Sequence, residues 1–176
     1  MEHLSEVEVS HFATVLQGAA ASSFREQTEN AVMPELVAYV DGGCLGNPGP
    51  SGIGVVINGC ASGPVRIAKW IGHQDNNVAE YAALMEALQY AVSLKARALH
   101  VFSDSQVVVR QMTGEYVCRS ARLYSLHWTC RKLARSLKFS ISHVPREENS
   151  EANGLVQAAL KRRARGRGRS SVLGLT

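Results

Sequence analysis

Three acidic residues occupy positions that a purely structural role does not explain. Asp41 follows the apolar run 36–40 and precedes two glycines, and Asp104 follows the apolar run 98–102. Glu80 lies near the start of a long predicted helix and shares a face with apolar residues one and two turns further on. A buried carboxylate costs several kcal/mol unless it is paired or bound to a metal. Taken singly, Asp104 could be a helix N-cap and Glu80 could interact favourably with the helix dipole.

Together, the three carboxylates predict a site for a hard divalent cation. Oxygen-only ligands favour Mg²⁺ or Mn²⁺ over Zn²⁺. The chain also contains four cysteines, whose wide spacing matches no zinc pattern. We therefore expect free thiols in a reducing compartment.

The elements that must position these residues form a mixed α/β domain. Strands are predicted over 36–40, 52–57, 65–71, 98–102 and 138–144, and helices over 77–94, 105–112, 122–137 and 150–164. A loop rich in glycine and proline is predicted over 41–50. The predicted fold class is α/β, with a mixed five-stranded sheet flanked by helices.

The chain has 176 residues, which is one domain with an appendage at each end. Residues 1–34 are predicted to be an N-terminal extension with a short helix over 7–21, and 165–176 a disordered basic Arg/Gly tail. No apolar stretch reaches the length of about 18 residues that a transmembrane helix needs. The acidic N-terminus is unlike a secretory signal, so we expect a cytoplasmic monomer without a membrane partner.

The formal net charge of +4 is unevenly distributed along the chain. Six Lys or Arg residues lie within 161–169, and six more lie within 119–138, which contains no Asp or Glu. This pattern favours a polyanionic partner. The same residues are equally compatible with the solvated face of an amphipathic helix and with a solubilising tail.

Four motifs resemble those of type 1 ribonuclease H and occur in the order of that family. They are Asp41-Gly42-Gly43-Cys44-Leu45-Gly46-Asn47-Pro48-Gly49-Pro50, Asn76-Asn77-Val78-Ala79-Glu80-Tyr81, Ser103-Asp104-Ser105-Gln106 and His143-Val144-Pro145-Arg146-Glu147-Glu148-Asn149. The resemblance is to the short bacterial and archaeal form, and these motifs argue against a retroelement-derived domain. It implies a ribonuclease H-like catalytic domain over 35–164.

The resemblance implies a divalent-metal-dependent endonuclease that hydrolyses the RNA strand of RNA/DNA hybrids and leaves 5′-phosphate and 3′-hydroxyl ends. Two Mg²⁺ ions, with Mn²⁺ as a substitute, would straddle the scissile phosphate. By the same resemblance Asp41 bridges both ions, and Glu80 and Asp104 complete the site of the first. The fourth catalytic and metal-binding position falls on Asn153.

Asn153 is where this sequence departs from the family, which has an acid at that position. A neutral amide oxygen is a poorer ligand for Mg²⁺, and Glu151 is a poor substitute because residues two apart on a helix lie about 200° apart. Three interpretations remain open. The chain is a natural variant with weak or Mn²⁺-dependent activity, a non-catalytic module that binds hybrids or RNA, or an engineered variant that holds its substrate uncleaved.

The resemblance also assigns six residues to the minor groove of the hybrid: Gly43, Cys44, Asn47, Asn76, Asn77 and Gln106. Distinguishing RNA from DNA requires contact with the 2′-hydroxyl, and glycines let the backbone approach a sugar closely. The same stretches are also typical of an ordinary turn and of a helix cap. Many relatives hold a DNA phosphate with a threonine where this chain has Asp75, so double-stranded RNA stays open as a second substrate.

Overall fold

The computed structural model describes residues 33–170, with the side chains described up to Ala164. The elements are β1 (Glu35–Cys44), β2 (Gly49–Asn58), β3 (Val65–Gln74), α1 (Asn76–Ser93), β4 (Ala98–Ser103), α2 (Gln106–Thr113), α3 (Ala121–Ala134), β5 (Lys138–His143) and α4 (Ser150–Ser170). Their order from residue 35 onward is the predicted one. The helix predicted over 7–21 lies outside the described residues. None of the helices in the described part of the chain is long and apolar enough to cross a membrane.

The strands form one mixed sheet in the order β3-β2-β1-β4-β5, which confirms the predicted fold class. The first three strands pair antiparallel, whereas β1, β4 and β5 run parallel. Val40, immediately before the first motif, is in register with Ser103 at the end of β4. The residues that follow them, Asp41 and Asp104, therefore meet at the same edge of the sheet.

Strand β1 extends further than the sequence predicts. Asp41 was expected at the end of the strand, but it lies inside β1 and pairs with Gly54. The two glycines after it continue the antiparallel ladder with β2, so they extend the strand that they were expected to stop. The predicted loop over 41–50 shortens to the four residues between β1 and β2.

The helix starts also differ from expectation. Asp75 is the N-cap of α1, and its Oδ1 accepts a hydrogen bond of 2.9 Å from the Val78 amide. Glu80 therefore lies in the second turn of α1, where the helix dipole contributes little. Ser105 is the N-cap of α2, so Asp104 is not the cap. Neither the helix-dipole interaction proposed for Glu80 nor the N-cap role proposed for Asp104 therefore explains why these carboxylates are where they are.

Helices cover the two faces of the sheet at sites where glycine lets them approach. A Cβ on Gly42 would lie 2.1 Å from the Ala79 carbonyl carbon in α1. A Cβ on Gly54 would lie 2.0 Å from the Ala152 oxygen in α4. The absence of side chains at these two positions brings α1 and α4 against the strands that carry the acidic motif.

We predict that Gly42→Ala destabilises the fold by about 3 kcal/mol or more, because overpacking at a backbone contact forces α1 away from β1. Gly154→Ala is the matched control. A Cβ there meets nothing within 4 Å, and the change should stabilise α4 by up to about 1 kcal/mol. Urea unfolding monitored by circular dichroism measures both. Equal effects of the two substitutions would contradict this account of the α1 contact.

Helix α4 continues to Ser170, past the predicted end near Ala164. The backbone of 165–170 is thus helical, whereas the sequence predicted a disordered tail over 165–176, of which 171–176 lie outside the described residues. Arginine is a strong helix former, and this stretch contains no proline to stop the helix. The two glycines in this stretch, Gly166 and Gly168, each destabilise a helix by only about 1 kcal/mol.

Candidate active site

The three predicted carboxylates converge at the edge of the sheet where β1 and β4 meet. Asp41, Glu80 and Asp104 each present an oxygen, and these oxygens all lie within 4.8 Å of one another. Asp41 is 3% exposed and Glu80 is 7% exposed, whereas Asp104 is partly exposed. An acidic cluster of this kind can hold a divalent metal ion, with Asp104 on the side open to solvent.

Glu80 reaches this edge because Gly42 leaves room for it. A Cβ on Gly42 would lie 2.3 Å from the Glu80 amide nitrogen. The Gly42 amide also donates a hydrogen bond of 3.2 Å to Glu80 Oε2. The glycine after Asp41 is therefore part of the site, since it brings a carboxylate from α1 next to β1.

Burial and mutual repulsion raise the pKa of two of these carboxyl groups. Burial first, and then the negative charge of Asp104, raise the pKa of Asp41 to about 6. Burial, followed by the charges of Asp41 and Asp104, raises the pKa of Glu80 well above its usual value. Without a cation, the cluster holds its negative charge at a cost, which is the expected property of a metal site.

Arg146 is a nearby positive charge whose role the sequence did not reveal. It lies in the loop between β5 and α4, and its guanidinium offsets part of the rise in the pKa of both Asp41 and Glu80. Its side chain is exposed, so it is accessible to a bound anion. The signal for it in the sequence is its place within the fourth motif, His143–Asn149.

Asn149 joins three elements beneath the site and was quoted in a motif without a role. It is 1% exposed, and its Nδ2 donates 2.9 Å hydrogen bonds to the Val40 carbonyl and to Asp104 Oδ1. Its own carbonyl accepts a hydrogen bond of 3.1 Å from the Asn153 amide in the first turn of α4. Asn149 therefore fixes the Asp104 carboxylate relative to β1 and to the start of α4.

We predict that Asn149→Ala lowers the free energy of unfolding by about 2–3 kcal/mol, because two buried acceptors lose their donor. It should also weaken Mn²⁺ binding by about 10- to 100-fold, the usual effect of removing a group that orients a metal ligand. Denaturant unfolding and calorimetric Mn²⁺ titration measure the two effects. Gln157→Ala removes an exposed amide from the same helix and should change neither quantity.

Asn153 lies on the face of α4 that covers the site. Asn149, one turn before it, is bonded to Asp104, and Val156, one turn after it, would contact a Cβ on Gly43 at 3.2 Å. Residues spaced this way share one face of a helix, so Asn153 faces the strand segment that contains Asp41. Its Nδ2 is buried and has no hydrogen-bond partner among the described residues.

Three of the six predicted substrate-binding residues contact one another. The Cys44 thiol lies 3.9 Å from Asn47 Oδ1 and 3.8 Å from Asn76 Oδ1. Asn47 Oδ1 also accepts a hydrogen bond of 3.1 Å from the Asn76 amide. Gly43 lies in β1 next to this group, and Asn77 and Gln106 are exposed in the first turns of α1 and α2.

The carboxylate of Asp75 has a structural role beside this group. In addition to capping α1, its Oδ2 lies 3.3 Å from Arg122 Nη1 at the start of α3. The arginine offsets the charge that was expected to repel a phosphate. The position that resembles a DNA phosphate site therefore carries an ion pair instead of a threonine hydroxyl.

Comparison with known proteins agrees with this geometry. Residues 39–159 match the family model described as Reverse transcriptase-like. The chain is 32% identical over 148 residues to ribonuclease HI of Halobacterium salinarum, covering 83% of this chain and 74% of that protein. The solved structure of LC11-RNase H1 in complex with an RNA/DNA hybrid is 33% identical, with a TM-score of 0.68 and coverage of 74% and 99% of the two chains.

A mycobacterial relative shows the same domain within a longer protein. The bifunctional protein Rv2228c of Mycobacterium tuberculosis is 36% identical over 129 residues, which cover 72% of this chain but only 35% of that protein. The family model defines the class as a Reverse transcriptase-like domain. Within that class, the chain belongs to the type 1 ribonuclease H family of enzymes.

Proposed function

We propose that this protein is a divalent-metal-dependent endonuclease that hydrolyses the RNA strand of RNA/DNA hybrids. The observation that carries the proposal is the convergence of the Asp41, Glu80 and Asp104 carboxylates within 4.8 Å, in a chain of the ribonuclease H family. The LC11 relative that was solved with a hybrid supports the choice of substrate. Removal of RNA primers and R-loops would follow from this activity.

The residues present fit a hard divalent cation. All three carboxylates offer oxygen, and the raised pKa values of Asp41 and Glu80 show that their charges lack full compensation. Asp41, Glu80 and Asp104 would hold the first ion, and Asp41 would share the second with Asn153. When bound, such ions would supply a Lewis acid for the attacking water and positive charge for the departing 3′ oxygen, in a cleavage that leaves a 5′-phosphate.

The chain's own residues bind and orient the substrate around this centre. The Cys44, Asn47 and Asn76 group would lie along the minor groove and contact the 2′-hydroxyl groups that distinguish RNA. The exposed Arg146 guanidinium is placed to balance the charge of the scissile phosphate. Asn149 keeps Asp104 in position while the substrate binds and leaves.

Asn153 makes the second ion site the weaker one. A neutral amide supplies no charge to balance a second cation, so we expect slow cleavage in Mg²⁺ and faster cleavage in Mn²⁺, which accepts amide ligands more readily. Arg122 offsets the charge of Asp75 at the position that resembles a DNA phosphate site. This ion pair would distinguish poorly between a DNA strand and an RNA strand at that position. Double-stranded RNA is therefore a proposed second substrate.

A non-catalytic hybrid-binding module is the second candidate, and it is favoured by the buried amide nitrogen of Asn153, which is unpaired within the described part of the chain. A hydrogen-bond donor at this position suits a phosphate oxygen better than a cation. Under this alternative the chain binds hybrids tightly without cleaving them in either metal.

Cleavage of a labelled RNA/DNA hybrid in Mg²⁺ and in Mn²⁺ tests the proposal, with duplex RNA and duplex DNA as the other substrates. Product ends identified by phosphatase and polymerase treatment should be 5′-phosphate and 3′-hydroxyl. Glu80→Gln is the matched inactive variant. If the hybrid is bound but stays uncleaved in both metals, the chain as it stands is non-catalytic, and cleavage by Asn153→Asp then distinguishes a disarmed enzyme from the second candidate.

We also propose a monomeric, cytoplasmic protein. The support is that Cys44, Cys60, Cys118 and Cys130 are all free in this structure, and free thiols are usual in proteins of a reducing compartment.

A further inference from the structure

Helix α3 presents a stripe of aromatic and cationic side chains to solvent. Tyr124 is 60% exposed and Trp128 is 55% exposed, and Arg131 and Arg135 are exposed as well. These four residues are spaced at i, i+4, i+7 and i+11, so they lie along one face of the helix. At 1.5 Å per residue, this α3 stripe is about 16 Å long.

The chain segment that carries the α3 stripe has charges of one sign only. Residues 119–138 contain six Lys or Arg and no Asp or Glu. Lys132 Nζ lies 5.3 Å from the Trp128 ring centroid, so a cation and an indole are already side by side. Large exposed aromatic rings interleaved with cations are the features of surfaces that stack bases and hold phosphates.

A cavity of about 250 Å³ lies at the C-terminal end of the α3 stripe. Met112, Ala134, Leu137 and Phe139 provide apolar lining, and Arg131 and Arg135 also line it. A cavity with both apolar and cationic residues in its wall suits a flat ring that carries an anionic group. A nucleotide has this chemistry.

The other end of α3 lies beside the proposed substrate groove. Arg122 contacts Asp75, which caps α1 immediately before Asn76. Tyr116 and Val117, in the segment that leads to α3, are 47% and 75% exposed. A strand that leaves the groove at α1 would therefore meet the start of α3.

We propose that the α3 stripe and its cavity bind unpaired nucleotides that extend from the RNA/DNA hybrid, an inference that rests on the proposed hydrolysis of hybrids. Tyr124 and Trp128 stack bases, and Arg131 and Arg135 bind phosphates. A second copy of this chain is disfavoured as the occupant because the stripe is narrow and strongly positive, and two copies would repel each other. An acidic protein partner is also disfavoured, because acidic side chains would pair with the arginines but would give the exposed aromatic rings nothing to stack on.

The test is fluorescence anisotropy with the full chain in EDTA, which prevents cleavage. The two probes are a blunt hybrid and the same hybrid with about ten unpaired nucleotides, within the range that single-strand surfaces occupy. Overhangs on the DNA strand and on the RNA strand are separate arms. For the unsubstituted chain we expect the overhang to lower Kd about tenfold, the effect of one stacked base.

The Tyr124→Ala, Trp128→Ala double variant should bring the ratio of the two Kd values close to one. Trp70→Ala is the matched control, since Trp70 is 41% exposed and lies under Arg163 at 4.5 Å, outside the α3 stripe. It should keep the tenfold ratio. The Arg131→Ala, Arg135→Ala variant should bind the overhang with a weaker dependence on salt. The slope of log Kd against log salt concentration should fall by the amount expected for the loss of about two phosphate contacts.

A ratio near one for the unsubstituted chain, or an unchanged ratio in the double variant, overturns the proposal. A dimer in sedimentation that dissociates on Trp128→Ala also overturns it, in favour of a second copy. Binding of an acidic peptide that the double variant loses, without an overhang effect, would assign the surface to a protein. Failure of the proposed function is recognised separately, because the unsubstituted chain would then leave the blunt hybrid uncleaved in both Mg²⁺ and Mn²⁺, whatever the ratio of the two Kd values.

Discussion

Replacing Asn153 with aspartate is expected to raise kcat/KM for hybrid cleavage in Mg²⁺ by about 100- to 1,000-fold. The carboxylate would add one negative charge on the α4 face that covers Asp41, where the amide now supplies none. Charge stabilisation by a bound cation is worth several kcal/mol, and each 1.4 kcal/mol changes a rate about tenfold. The gain should be smaller in Mn²⁺, which tolerates the amide better.

Gln157→Glu is the matched control for this experiment. It adds the same charge to the same helix, one turn further on and exposed to solvent. Mg²⁺ titration followed by calorimetry supplies a readout independent of cleavage, and only Asn153→Asp should tighten binding. An equal gain in both variants would show that net charge, and not the ligand at position 153, limits the reaction.

The three interpretations of Asn153 give different results in this pair of proteins. A natural variant with a weak second ion site cleaves slowly as it stands and improves with aspartate. A disarmed enzyme cleaves only with aspartate. A binding module cleaves in neither form, and tight hybrid binding in both would then identify it.

The element order and the acidic site were predictable because their signals are local. Apolar runs bounded by glycine and proline mark the strands, and Asp41 and Asp104 each follow such a run. Parallel β1 and β4 then bring the two residues to one edge. The apolar neighbours of Glu80 on α1 were enough to place it on the buried side.

The remaining features depend on contacts between distant parts of the chain. The glycines after Asp41 were read as a strand end, because their pairing with β2 and their packing against α1 are not visible locally. The bonds of Asn149 reach residues 45 and 109 positions away. Arg146 acts on Asp41 and Glu80 through space, from an exposed loop. No periodicity in the sequence reports such contacts.

Replacing Asp41 with asparagine is expected to stabilise the metal-free protein while it abolishes cleavage. Burial and the charge of Asp104 raise the pKa of Asp41 from 3.8 to about 6 in the folded state. A raised pKa disfavours the ionised form in the folded protein. The contribution of Asp41 to stability is therefore greatest below about pH 3.8 and falls by about 3 kcal/mol as the pH rises through 6. Asparagine does not ionise, so the stability of the variant should not decline in this way. At pH 7 its free energy of unfolding should be about 2–3 kcal/mol higher than that of the unsubstituted chain.

Urea unfolding in EDTA between pH 4 and pH 8 measures this difference, with Glu151→Gln as the control. Glu151 is an exposed acid paired with Arg66, and its removal should change stability by at most about 0.5 kcal/mol at any of these pH values. Added Mn²⁺ should stabilise the unsubstituted chain, because a ligand that binds only the folded state shifts unfolding, and it should have little effect on Asp41→Asn. The same substitution would then make the metal-free protein more stable and remove a group that binds the cation. This combination identifies a carboxylate that serves chemistry, because removal of one that serves stability would make the protein less stable. A variant that is less stable than the unsubstituted chain at pH 7 would assign Asp41 to the architecture of β1 instead.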